Sequence, residues 1–310
     1  MKVNAQVANF NVVFGNEEKP MLDYFDNIVY PAFMSGIIKS GNGEDDYFLH
    51  EIELIENKKG DAALIGRIVK WTTLEVFSDL DEKGQLIEKD EHYSSAPYST
   101  FIIYLRNHRM LFVPNQKGSP TLVNFRSTIA YILKNYVNNY NSENEEKLPY
   151  ALVNIVGVPS ARSMEELLKT VKKINSLTLK FYPLNGDLDF SNMFGMMTTD
   201  LRKAVGCKTG KTILNSPKSV EGVVDVLQQA GGTIDPILKI TTSENSIIKL
   251  HDYQMTEKYE MVFDDQLTLE EKREQIVNKA DEIGVLQYTN DNHDEIYKRN
   301  EHKIIPFIKR

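Results

Sequence analysis

The sequence predicts an α+β fold: an antiparallel-leaning sheet with helices in the first half, and a ferredoxin-like α+β second half with an added C-terminal helix. Three observations predict it. Residues 47–55, 62–77, 99–105 and 110–113 are rich in Ile, Val, Leu, Phe and Tyr and are separated by turn residues, as successive strands are. Residues 150–158, 163–174 and 177–182 then read strand, helix, strand, a βαβ unit whose crossover should be right-handed. Between the halves, residues 135–147 are dense in Asn, Ser and Glu, which bury little apolar area and read as a linker or exposed loop. The expected units are therefore residues 1–146, residues 147–286 and a C-terminal extension over 287–310.

The elements follow in order. Residues 3–14 alternate as a strand, with Val3, Ala5 and Val7 on one parity and Phe10, Val12 and Phe14 on the other. The change of parity near Ala8-Asn9 implies a bulge or a strand buried on both faces. Asn16, followed by two acids, is placed to cap a helix carrying Leu22, Phe25, Ile28 and Val29, which Pro31 should end or bend. A helical period returns over 122–137 through Val123, Ile129, Ile132, Leu133 and Val137. In the second half, Ser163-Met164-Glu165-Glu166 has the pattern of a capping box. Leu177, Leu179 and Phe181 then alternate with Thr178 and Lys180. A helix over 216–229, a turn at Ala230-Gly231-Gly232, strands over 237–250 (broken at 243–245) and 259–263, and a helix capped by Thr268 and Glu271 complete the order. At the C terminus, residues 288–295 are too polar to pack and should form an exposed connector. The apolar cluster Ile304-Ile305-Pro306-Phe307-Ile308 should dock as an edge strand, the only strand position Pro306 allows, on this chain in preference to a partner.

Composition excludes several classes. No run approaches the roughly 18 consecutive apolar residues of a membrane-spanning helix, so no membrane is expected. The opening residues lack the basic-then-apolar profile of a secretory signal, and the expected location is cytoplasmic. One cysteine, Cys207, excludes a disulfide scaffold and a cysteine-built zinc site. The net charge of −8 disfavours a whole-surface nucleic-acid binder while leaving room for a local basic patch.

Several motifs approach chemistry and stop short. Residues 206–212 (GCKTGKT) resemble a phosphate-binding loop, but only three residues separate the glycines where four are needed, and a helix end precedes them. A Gly C-cap followed by a basic surface loop explains them better. Residues 79–90 set acids at positions 1, 3 and 12 of an EF-hand loop, yet Lys83 stands where a ligand oxygen belongs. A hairpin turn at Glu82-Lys83-Gly84 accounts for the same residues. The six histidines show no HExxH pairing; His108 reads as a surface turn residue, and His293 and His302 as solvated. Asp45 or Asp46, followed by Glu56-Asn57-Lys58, formally fits the carboxylate-plus-lysine pattern of a magnesium nuclease.

The stronger signal is basic. Residues 151–218 hold Arg162, Lys169, Lys172, Lys173, Lys180, Arg202, Lys203, Lys208, Lys211 and Lys218 against five acids, a local charge of +5 in an acidic chain. Gathered on one face, they would neutralise several phosphates, and ferredoxin-like sheets also serve as RNA platforms. The expected partners are therefore RNA or DNA, with a partner protein or self-association as well; no cofactor or metal is implied.

The segments 3–12, 66–71, 108–112, 177–187 and 230–234, taken in order, are similar to an uncharacterised bacterial domain-of-unknown-function family found in phage-defence and mobile loci. The resemblance spans roughly residues 1–240 and rests on strands and turns, so no catalytic residue is carried over. It implies an intracellular bacterial setting and antiviral defence. The leading expectation is a nucleic-acid-binding or sensing component of an anti-phage system. Two alternatives stand beside it: a metal-dependent effector nuclease using Asp46, Glu56 and Lys58, and a non-catalytic structural subunit of a protein complex.

Overall fold

A computed structural model describes residues 1–41, 43, 45–185 and 195–308, with backbone alone at 196–198. The strands are β1 (Lys2–Phe14), β2 (Lys19–Pro20), β3 (Lys39–Ser40), β4 (Asp46–Glu56), β5 (Ala62–Leu80), β6 (Leu86–Ser95) and β7 (Tyr98–Tyr104). They continue as β8 (Arg109–Pro114), β9 (Ala151–Gly157), β10 (Val171–Phe181), β11 (Gly210–Asn215), β12 (Asp235–Thr242), β13 (Ile247–His251) and β14 (Lys258–Val262). The main helices are α1 (Tyr30–Met34), α2 (Leu122–Glu143), α3 (Ala161–Leu168), α4 (Val220–Ala230), α5 (Leu269–Glu282) and α6 (Asp291–Ile304). Strands and helices thus combine as the α+β class predicts, and every described strand pair is antiparallel.

The larger sheet runs β14-β1-β8-β7-β5-β4-β3, with β2 and β9 also on β1 and β6 on β5. β1 pairs with four of these strands, and the parity change in it has a simple cause: both faces of the sheet are covered. Ala8, Phe10, Val12 and Phe14 pack with Phe101, Phe112 and Phe125 beneath α1, α2 and α6. Val3, Ala5 and Val7 face the opposite layer, with Ile276 and Ala280 of α5. No bulge is needed. The helical segment expected after Asn16 starts later, at Met21, and passes through a π-type turn at Phe25–Val29. Pro31 sits in the first turn of α1, where its missing N–H costs nothing.

Hydrogen bonding does not divide near residue 146. β9 pairs with residues 8–14 of β1 and β14 with residues 2–6, so strands from beyond the expected boundary complete the first sheet. The polar run over 135–147 is mostly the last turns of α2, because Val137 still reaches the core while its polar neighbours stay outside. The βαβ expectation is also corrected. β9 joins the large sheet and β10 a separate one, ordered β11-β10-β12-β13. A ferredoxin-like order would need β9 beside that second sheet. Apolar β9 instead buries Ile155 and Val156 against β1.

Local capping explains further boundaries. Ser160, not Ser163, caps α3 by accepting from the Ser163 N–H, so the helix begins one turn earlier than the capping-box pattern suggested. The Thr268–Glu271 box forms as read: the Thr268 hydroxyl accepts from Glu271 N–H, and the Glu271 carboxylate accepts from Thr268 N–H at 2.7 Å. Gly231 closes α4 in the left-handed region at φ 54°.

The C-terminal expectations divide. Residues 291–304 form α6 rather than an exposed connector: His293, Ile296, Tyr297, Asn300 and Ile304 recur at helical spacing and are buried. Beyond it, Ile305–Phe307 form a 3-10 turn rather than an edge strand, with Pro306 in its first turn; Phe307 lies 4.5 Å from the Tyr30 ring and Ile308 makes a single bridge to Leu54, so this end docks on its own chain. His108, expected at the surface, is fully buried at φ 57°, with its ring edge-on to His293 at 5.9 Å. Folding α6 over the tight turn after β7 encloses both.

Candidate nucleic-acid interface

Among the described residues the second sheet is covered on one side only. Leu177, Leu179, Leu238 and Leu250 alternate inward against Met164 and Leu168 of α3 and Val223 and Leu227 of α4. The residues between them point the other way, and the register sets them in rows across the four strands. Lys173 lies opposite Thr241, and Thr241 opposite Ile247. Next come Asn215, Ser176, Lys239 and Lys249; then Ile213, Thr178, Ile237 and His251. Lys211, Lys180 and Asp235 form the last row.

Among the described residues, five lysines therefore share this open face with one carboxylate. Lys173, Lys211, Lys239 and Lys249 are exposed, and Lys180 is partly so. Asp235 is buried and bound by its neighbours, with Lys180 Nζ at 3.4 Å and Arg126 of α2 at 3.8 Å. Two of the lysine pairs, Lys180 with Lys211 and Lys239 with Lys249, are directly opposite across neighbouring strands. Like charges in that position sit about 5 Å apart at Cβ and destabilise a sheet. At one margin, the His251 ring lies parallel to that of Tyr253, 5.9 Å away, offering a flat aromatic surface beside the lysines.

The cations picked out from sequence are distributed unevenly. Lys173, Lys180 and Lys211 meet on the open face. Arg162 is on α3 and pairs with Glu166 one turn on, and Lys169 follows the end of that helix. Lys172 donates to the Asn245 side chain at 2.6 Å in the β12–β13 turn. Lys218 is exposed just ahead of α4, and Lys203 and Lys208 flank a cleft of about 300 Å³ that Val13, Tyr150 and Pro183 also line. Arg202 is not a solvent-facing cation. Its side chain is buried, with its guanidinium bound to both carboxylate oxygens of Glu18 and to the Cys207 carbonyl. Lys239 and Lys249 lie beyond the basic stretch of residues 151–218 and so outside its charge signal. The alternation Ile237-Leu238-Lys239-Ile240, repeated as Ile248-Lys249-Leu250, carried the signal.

The other motifs resolve by geometry. Asp46 opens β4 and Glu56 closes it, with Lys58 in the exposed turn beyond. Ten residues of strand separate the carboxylates by roughly 30 Å, so Asp46, Glu56 and Lys58 cannot hold one metal ion. Among the described residues no group of three His, Cys, Asp or Glu side chains could do so. Residues 79–90 form a hairpin in which Asp81 Oδ1 accepts from Lys83 N–H and Gln85 N–H, spending the carboxylate on its own turn. Gly206 ends a helical turn at φ 69°, and a strand rather than a helix follows the loop, so no helix N-terminus faces a phosphate there.

With the two sheets placed, one comparison becomes informative. Residues 3–204 match a family described as a domain of unknown function, DUF4747. The chain belongs to this family. In this DUF4747 chain the match takes in most of the large sheet together with β9, α3 and β10, and ends before β11. Lys173 and Lys180 therefore fall inside the matched segment, whereas Lys211, Lys239 and Lys249 lie beyond it. Comparison with curated proteins returns no match. Among the described residues no helix is long and apolar enough to cross a membrane.

Proposed function

We propose that this protein binds nucleic acid on the open face of the β11-β10-β12-β13 sheet, with Lys173, Lys180, Lys211, Lys239 and Lys249 against phosphates. One observation carries the reading. Two lysine pairs are held directly opposite each other on a face that, among the described residues, no helix covers beyond the Arg126 side chain of α2 at its Asp235 edge, and Asp235 is already engaged. Such repulsion is relieved when an anion spans the pair. A chain of phosphates would span all the rows at once. The His251–Tyr253 aromatic pair at the margin suits an unstacked base, which favours single strands over duplex. We further propose that this binding serves the anti-phage setting suggested by the resemblance of the sequence to families from defence loci.

The test is fluorescence anisotropy with single-stranded RNA, single-stranded DNA and duplex DNA over a range of salt. Binding at low salt should weaken steeply, with a slope of log K against log salt of about −3 for four to five phosphate contacts on a single strand. The variant K239E/K249E should lose at least tenfold in affinity with an unchanged circular dichroism spectrum. No binding at tens of micromolar protein, or binding that the double reversal leaves intact, overturns the proposal. Phage plating on a host lacking the gene tests the setting separately.

A further inference from the structure

The most conspicuous feature the lysine face leaves unexplained is an arm. β5 is 19 residues long, and only Ala62–Trp71 pairs within the body of the sheet, against β4 and, over Ala63–Val69, against β7. From Thr72 onward its hydrogen-bonded partner is β6 alone, in register from Thr72–Ser95 to Leu80–Leu86 with one irregularity at Val76–Ser78. A ribbon of strands nine and ten residues long extends about 30 Å, and two strands without a covering layer are marginal in water. This arm nevertheless carries large apolar side chains in the open. Leu74 faces Tyr93 and Leu80 faces Leu86 across the ribbon, each more than half exposed. The same 24 residues, 72–95, hold seven carboxylates and only two lysines, Lys83 and Lys89. Exposed apolar residues in a charged setting mark a contact surface, and the charge selects what it can touch. Two arms laid together would oppose seven carboxylates with seven.

We infer that the acidic, apolar arm of one copy of this chain docks on the lysine face of a second copy and competes there with nucleic acid. The two surfaces are complementary in charge and in pattern. Ile213 and Ile237 share a row between the Lys239–Lys249 and Lys180–Lys211 rows, and Ile247 stands in the row of Lys173, just as the Leu74–Tyr93 and Leu80–Leu86 pairs of the arm are set among its acids. The footprint of a two-stranded ribbon on a four-stranded sheet is small. It lies at or below the low end of specific interfaces, which bury on the order of 1,200 Å². The association is therefore weak, reversible and sensitive to salt. An arm-to-face contact joins different surfaces, so it closes only by reciprocal exchange between two copies or by forming a ring. Competition rests on the proposed nucleic-acid site; self-association does not.

Sedimentation velocity of the full chain separates the two. At about 50 mM salt the mass should rise with concentration above the 35.5 kDa of one copy, and it should return to one copy at about 500 mM. Reversing the arm (E88K/D90K/E91K) or the face (K239E/K249E) should each abolish association, and mixing the two variants should restore it. A single-stranded oligonucleotide should dissociate the wild-type assembly. One-copy mass up to about 100 μM at low salt, or association that neither reversal affects, overturns the inference. So does an oligonucleotide that binds without dissociating the assembly. Association without any oligonucleotide binding would instead sustain the contact and remove the nucleic-acid reading.

Discussion

Arg202 and Lys180 show why a charge in a sequence is not yet a charge on a surface. Both belong to one basic stretch, but Arg202 is folded inward onto Glu18, while Lys180 alternates with Leu179 and Phe181 and so emerges on the open face. Removing a buried guanidinium would strand the Glu18 carboxylate, so an Arg202 variant reports on stability before it reports on binding. Asp252 is the clearest titrating residue. Its Oδ2 accepts from the Gly157 N–H at 2.8 Å, and burial pushes its carboxyl above the usual carboxylate range. A carboxyl raised in the folded state contributes stability that is fully present below its unfolded value, about 3.9. That contribution is lost as pH rises through the folded value. At neutral pH the buried charge is therefore a cost. Asp252→Asn keeps an acceptor for Gly157 and removes that charge, so its melting temperature should exceed wild type at pH 7, with the gap narrowing toward pH 4. A variant less stable than wild type at pH 7 would show that the carboxylate is needed for more than its lone pair.

The long strand β5 behaves as two elements joined end to end. Ala62–Val69 is buried between β4 and β7, and its Gly66 is required there: a Cβ would stand 2.3 Å from Ile52 and 2.8 Å from Phe101. From Thr73 outward the strand has no such neighbours, and its ladder partner is β6 alone. Excising residues 73–94 and closing the gap with Asn-Gly, a pair suited to two-residue hairpin turns, should therefore leave the body intact. The melting temperature is expected within about 3 °C of wild type, since surface changes away from packed features shift stability by about 0.5 kcal/mol or less. A larger fall would mean that the arm is packed on the body in solution.

For the molecule as a whole, the ends of the chain matter more than its middle. β1 pairs with four strands of the large sheet, three of them from residues 109–114, 151–157 and 258–262, and α6 seals the layer above it. Chain closure of this kind makes the large sheet one cooperative unit, completed only by the C-terminal third. Truncation after residue 290 removes Ile296, Tyr297 and Ile304 from the core, including the Tyr297 hydroxyl that accepts from the Ala62 N–H at 3.0 Å. Burial of each large apolar side chain is worth about 1.5–3 kcal/mol, so the truncated chain should melt at least about 10 °C lower or fail to fold. Thermal unfolding at matched concentration decides this, and an unchanged melting temperature would show that α6 is an accessory layer.

Periodicity and capping are local, and where they governed the outcome the reading from sequence holds. The hairpin of residues 79–90, the Thr268–Glu271 cap, the Gly206 helix end and the inward Leu177, Leu179 and Phe181 all follow from neighbours a few residues apart. Partner choice is not local. β9 is equally apolar beside β1 or beside β10, and only the assembled sheet decides between them. The same limit governs the candidate site. The sign of each lysine is written in the chain, but Lys180 meets Lys211, and Lys239 meets Lys249, only through strand register. Register is set by the long-range burial of the alternate residues on the other face.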